Sequence, residues 1–174
     1  MRIVALAGLP GTGKSTLARE LARQLGSPLL DKDRVRAALF APAEIDYSRE
    51  QDDLVMECIH RAVEFHARRG VEHVVLDGRT YSRRTQVEEL RKLAARLGAR
   101  LVLVECVAAP DTVRARLERD AARGAHPAAN RSLELYERLR VAAEPIAEPK
   151  LVLATDERAL EELVGEVLEH VAGS

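Results

Sequence analysis

Ile3-Val4-Ala5-Leu6-Ala7, followed at once by Gly8-Leu9-Pro10-Gly11-Thr12-Gly13-Lys14-Ser15, is the stretch that decides the fold of this 174-residue chain. A short apolar run bounded by glycine has the pattern of a buried strand, and the eight residues after it satisfy G-x-x-x-x-G-K-[ST], the phosphate-binding loop. The spacing has a mechanical reason. Successive backbone N–H groups must wrap the phosphates, and glycine permits the positive φ and close approach that a side chain would block. Lys14 then reaches the β- and γ-phosphates and Ser15 offers a hydroxyl to Mg²⁺, while the helix that follows points its partly positive N-terminus at the same anion. Leu17, Leu21 and Leu25 with Ala18 and Ala22 supply that helix. Gly8, Gly11, Thr12, Gly13, Lys14, Ser15 and Thr16 are therefore the candidates to bind a nucleoside triphosphate. Lysine is otherwise scarce, occurring elsewhere only at Lys32, Lys92 and Lys150.

Outward from the loop, strand-like runs recur at 2–7, around 28–31, and at 73–77, 100–107 and 150–154, with helix-period segments between them. Such alternation predicts an α/β fold with a parallel sheet and crossover helices. Helical stripes are read at Leu54-Cys58-Ala62-Phe65, at Val87-Leu90-Ala94-Leu97 and at Leu160-Leu163-Val164-Val167-Leu168-Val171, each as a core face. Between the fourth and fifth strands, 111–145 holds two helices, about 111–122 and 131–143, joined by a turn rich in Gly, Ala and Pro. One domain, 1–174, is expected from the length, with no interdomain linker or repeat.

A formal charge of −1 argues against sequence-independent attraction to nucleic acid. Cys58 and Cys106 are too few and too far apart for a zinc site and read as buried apolar thiols, and the five histidines form no ligand spacing. Met1-Arg2-Ile3 enters a core strand directly, and no segment approaches the ~18–20 apolar residues of a membrane span. The expectation is a soluble cytoplasmic protein without membrane contact.

A phosphate loop alone fits many activities, so other positions decide among them. Asp31-Lys32-Asp33-Arg34-Val35-Arg36 falls at the end of the second strand, where open α/β sheets bind ligands. There Asp33 can orient an acceptor hydroxyl in line with the γ-phosphate, and Arg36 can hold an anionic group of the acceptor; the competing reading is that Asp31 or Asp33 caps the next helix. Val74-Val75-Leu76-Asp77 is an apolar strand ending in a carboxylate, the Walker B pattern whose aspartate supports Mg²⁺, with a plain turn residue as the alternative. Arg79, Arg83 and Arg84 follow on the same edge, and Arg79 is the candidate acceptor contact among them. Arg119 and Arg123, four apart, share a helix face suited to closing over triphosphate oxygens, unless they pair with Glu118 or Asp120.

With these pieces the chain resembles the P-loop kinase superfamily, in the zeta-toxin-like group that includes phage-type polynucleotide kinases, gluconate kinases and adenylylsulfate kinases. Gly8 to Thr16 matches that group's G-x-P-G-[ST]-G-K-S-T, Asp33 to Arg36 its D-x-x-R, and Arg119 to Gly124 its arginine-bearing lid. The resemblance implies a three-layer α/β/α nucleotide-kinase-like fold with a five-stranded parallel sheet of order 2-3-1-4-5 and a lid at 111–145. It also implies transfer of the γ-phosphate of ATP·Mg²⁺ to a hydroxyl, with Lys14, Asp33 and Arg123 catalytic. Aromatics are confined to Phe40, Tyr47, Phe65, Tyr81 and Tyr136, a poor platform for stacking bases, which favours a small-molecule acceptor over a nucleic-acid 5′ end. A nucleotide-binding switch with slow ATP hydrolysis is the reading from a different class.

Overall fold

The computed structural model describes residues 1–123 and 132–173, the side chain of Arg123 excepted. Five parallel strands form one sheet: β1 (Arg2–Ala7), β2 (Leu29–Asp31), β3 (His73–Asp77), β4 (Arg100–Val107) and β5 (Leu151–Ala154). They lie in the order β2-β3-β1-β4-β5, as expected. The helices are α1 (Lys14–Leu25), α2 (Lys32–Leu39), α3 (Arg49–Arg68), α4 (Arg84–Arg96), α5 (Pro110–Arg123), α6 (Leu133–Ala142) and α7 (Leu160–Gly173).

Strand alternation divides the core in two. Ile3, Ala5 and Ala7 of β1 face the layer holding α3 and α4, whereas Val4 and Leu6 face α1 and α7. Both faces are covered, which is why β1 is apolar throughout rather than alternating with polar residues. The register sets Ala7 of β1 beside Glu105 of β4 and Asp31 of β2 beside Asp77 of β3. Two carboxylates thus sit at adjacent strand ends, on the edge from which the phosphate loop leaves.

The stripe read on α3 is corrected. Leu54 and Phe65 are 47% and 50% exposed, and the helix buries Val55, Met56, Ile59 and Val63 instead. Two apolar stripes run along this helix one residue apart, a rotation of about 100°. The one holding more branched aliphatic volume packs on the sheet, and the Arg69 guanidinium lies 5.6 Å from the centre of the Phe65 ring. Ile59→Ala should therefore cost about 2–5 kcal/mol, while Phe65→Ala should stay within about 0.5 kcal/mol of the parent in urea unfolding. The other two stripes face the core, with Leu93 added to that of α4. Cys106 is fully buried, and burial pushes its thiol up to about 12, but Cys58 is only half-buried, against expectation.

In the 111–145 segment, Val113, Leu117 and Tyr136 bury a small cluster against Leu9 of the loop, Ala108 and Leu133. The first turns of α5 thereby pack on the phosphate loop. The turn between α5 and α6, with His126 and most of the expected lid tip, lies outside the described residues.

Candidate active site

Glycine shapes the loop where the backbone meets neighbouring elements. At Gly8 φ is +129°, and a Cβ would stand 2.3 Å from the Cys106 carbonyl oxygen. At Gly11 φ is +80°, and a Cβ would stand 2.8 Å from a Val113 methyl. Neither site admits another residue without displacing β4 or α5. Inside the loop, the Thr12 hydroxyl and the Lys14 ammonium both donate to the Leu9 carbonyl, at 2.8 and 2.6 Å. The lysine is 93% withdrawn from solvent and reaches across the loop to a main-chain acceptor.

α1 begins on Gly13 with no side-chain cap and no acid in its first turn. By contrast, α2, α3 and α6 are capped by Asp31, Ser48 and Ser132. The start of α1 therefore has neither a side-chain acceptor nor a neutralising charge, which leaves its partly positive end to an anion, although the Thr16 amide already donates to the Gly13 carbonyl at 3.2 Å.

The question of which aspartate caps α2 is resolved geometrically. Asp31 Oδ1 accepts from the Asp33 and Arg34 amides at 2.9 and 3.3 Å. Asp33 is left outside the cap, its carboxylate 3.7 Å from Arg36 Nη1, and it lines a cleft of about 620 Å³ with Lys14, Ser15, Arg36, Gly78 and Arg79. Arg36 is 3% exposed and donates to Asp52 of α3, with the Tyr47 ring centre 5.0 Å from its guanidinium. Lys32 reaches the other oxygen of Asp52 at 2.8 Å. Burial pulls the Lys32 ammonium below the ordinary lysine value, and its hydrogen bond and attraction to Asp52 oppose that shift. Arg79 is also buried and donates to Glu89 at 3.1 Å. Tyr81 is sealed in the core instead of lining this cleft.

Asp77 is 4% exposed, and neither carboxylate oxygen has a hydrogen-bond partner among the described residues. A buried carboxylate left this way costs several kcal/mol unless a cation faces it. The hard oxygen donors of Asp77, with the Ser15 hydroxyl on the neighbouring loop, suit Mg²⁺. The plain-turn reading of Asp77 explains neither its burial nor its bare oxygens.

On the other side of the loop a second cleft, about 320 Å³, is lined by Gly11, Gly13, Thr16, Arg116, Arg119 and Thr155. Arg119 is exposed at its rim; the Arg123 side chain lies outside the described residues. Sequence reasoning missed Lys32, Asp52, Glu89, Arg116 and Thr155. Two of them carried a signal: Thr155 directly follows the last strand, and Arg116 belongs to the arginine cluster Arg114, Arg116, Arg119 and Arg123.

The sheet order and this loop between two clefts give the chain the P-loop fold of solved kinase structures. The chain belongs to the AAA domain family (AAA_33), whose model matches residues 3–145. A candidate kinase from Chloroflexus aurantiacus superposes with a TM-score of 0.77 at 23% identity, over 97% of each chain. The APS kinase of Mycobacterium tuberculosis, solved with AMPPNP and APS, gives 0.69 at 23% identity over 98% of this chain and 97% of that one. Among curated relatives, a cytidylate kinase of Vibrio cholerae is 34% identical over 100 residues, 56% of this chain and 44% of that enzyme. The matched stretches span less than half the length of the curated relatives. No described helix is long and apolar enough to cross a membrane.

Proposed function

We propose that the protein is an ATP-dependent kinase that transfers the γ-phosphate to a hydroxyl of a small-molecule acceptor. The observation that carries this reading is the release of Asp33 from helix capping into the larger cleft, opposite a loop built for a triphosphate. ATP would occupy the loop and the second cleft, with its phosphates on N–H groups of the loop such as those of Gly13 and Ser15 and on Lys14, which exchanges the Leu9 carbonyl for phosphate oxygens. Arg119, with Arg123, would close over the triphosphate and offset charge on the transferred group. Asp77 and Ser15 would hold Mg²⁺, which when bound neutralises charge on the phosphate oxygens. Asp33 would accept the hydroxyl hydrogen bond and aim the oxygen in line, because a loose phosphoryl transfer depends on positioning more than on early deprotonation. Arg36 and Arg79 would receive an anionic group of the acceptor.

The test is a screen of hydroxylated metabolites with ATP and Mg²⁺, following ADP formation. The reading requires at least one acceptor to raise turnover above the water background. Turnover raised only by RNA or DNA 5′-hydroxyl ends would replace it with a polynucleotide kinase, and turnover raised by neither would leave a slow ATPase or switch. A further expectation concerns the metal. Asp77→Asn should weaken the apparent Mg²⁺ affinity about 10-fold or more, read from ADP formation against free Mg²⁺, by removing a charged oxygen ligand.

A further inference from the structure

Thr155 and Arg116 fasten the phosphate loop from behind. The Thr155 hydroxyl donates to the Thr12 carbonyl at 2.8 Å. Arg116 Nη1 donates to that hydroxyl at 3.0 Å and to the Gly11 carbonyl at 3.3 Å, while Nη2 donates to the Thr155 carbonyl at 2.9 Å. Thr155 is itself fixed by its N–H to the Val107 carbonyl at 2.9 Å, and neighbouring Asp156 accepts the Ala109 amide at 2.7 Å just before α5. Two chain segments, α5 and the end of β5, therefore reach two peptide units of the loop, and the end of β4 braces the second segment.

A trans peptide is planar, so its carbonyl and the next N–H point in opposite directions. Holding the Thr12 carbonyl toward Thr155 thus directs the Gly13 N–H to the opposite side of the strip, and no acceptor for that N–H is found among the described residues. A flip of this peptide turns ψ of Thr12 and φ of Gly13, and Gly13, with φ of 85°, imposes little steric resistance to it. Something outside the loop must hold the orientation. We propose that Arg116 and Thr155 are positioning residues that lock the Thr12–Gly13 peptide with its N–H directed at the donor's phosphates. Arg116 also lines the second cleft, but its part in this latch is exerted through the Gly11 carbonyl and Thr155. This rests on the reading of the loop as the donor site.

Inorganic tripolyphosphate and ATP, each with Mg²⁺, are the probes, titrated calorimetrically into the whole protein. Measurable binding of both to the unaltered protein checks the donor-site reading, and binding of neither would overturn that reading together with the latch. Thr155→Val keeps the shape and removes the hydroxyl, and Arg116→Met keeps the stem and removes the fork. Each removes one hydrogen bond to a loop carbonyl, that of Thr12 or that of Gly11, and should weaken tripolyphosphate and ATP by the same factor, about 10-fold. Thr155→Ser should restore both affinities, although its packing differs. The latch is overturned if tripolyphosphate binding is unchanged, or if ATP binding alone falls, which would make Arg116 a nucleoside contact. A loss that Thr155→Ser fails to restore would overturn it as well, since a merely structural role for the threonine would then account for the effect.

Discussion

Lys14→Ala is expected to lower the rate of phosphoryl transfer by about 10³-fold while leaving the fold intact, since one preorganised cationic donor at the transferring group is worth about that much. The buried ammonium donates to the Leu9 carbonyl, which also receives the Thr12 hydroxyl. Truncation therefore leaves Leu9 still partnered, and the melting temperature should change little. Rapid-quench measurement of ADP formation, beside thermal melts, separates the two effects. Unchanged kinetics would reject the assignment of Lys14.

Asp33→Asn should reduce acceptor-dependent turnover by roughly 10²-fold or more through loss of the group that orients the hydroxyl, with background ATP hydrolysis and ATP affinity unchanged. The substitution is nearly isosteric and does not touch the cap of α2, which belongs to Asp31. It weakens the attraction to Arg36, but that guanidinium keeps Asp52. Comparing kcat and acceptor KM distinguishes positioning from uniform binding: a rise in KM at constant kcat would move Asp33 from catalysis to plain recognition. An Asp33→Asn protein with full turnover would instead favour a switch without an acceptor.

The strands and the phosphate loop were legible because their signals are local, whereas the strand order came from the resemblance alone. β1 and the loop are contiguous, β3 ends in Asp77, and each strand is an apolar run bounded by turn residues. The orientation of α3 was not legible, because Leu54-Cys58-Ala62-Phe65 and Val55-Ile59-Val63 satisfy the same helical period and only the shape of the sheet chooses between them. The acceptor side was half visible. Asp33 and Arg36 come from a compact motif, but Asp52 reaches Lys32 and Arg36 across 20 and 16 residues of sequence, and its acidic neighbours Glu50 and Asp53 look alike in sequence. The Arg119–Arg123 spacing drew attention to the distal part of α5, whereas the arginine that grips the loop is Arg116, nearer its start. Spacing on one helix identifies a shared face, not the surface which that face meets.

The unequal burial of the two thiols has a practical outcome. Cys106 is sealed beneath the loop with its thiolate suppressed, so a maleimide at neutral pH should modify Cys58 alone. Cys58 lies on α3, between Asp52, which engages the α2 cations, and Ile59, which packs into the core. A single dye attached there, with no engineered cysteine, would ride on the helix that braces the larger cleft and would report its occupancy while the phosphate loop stays chemically untouched.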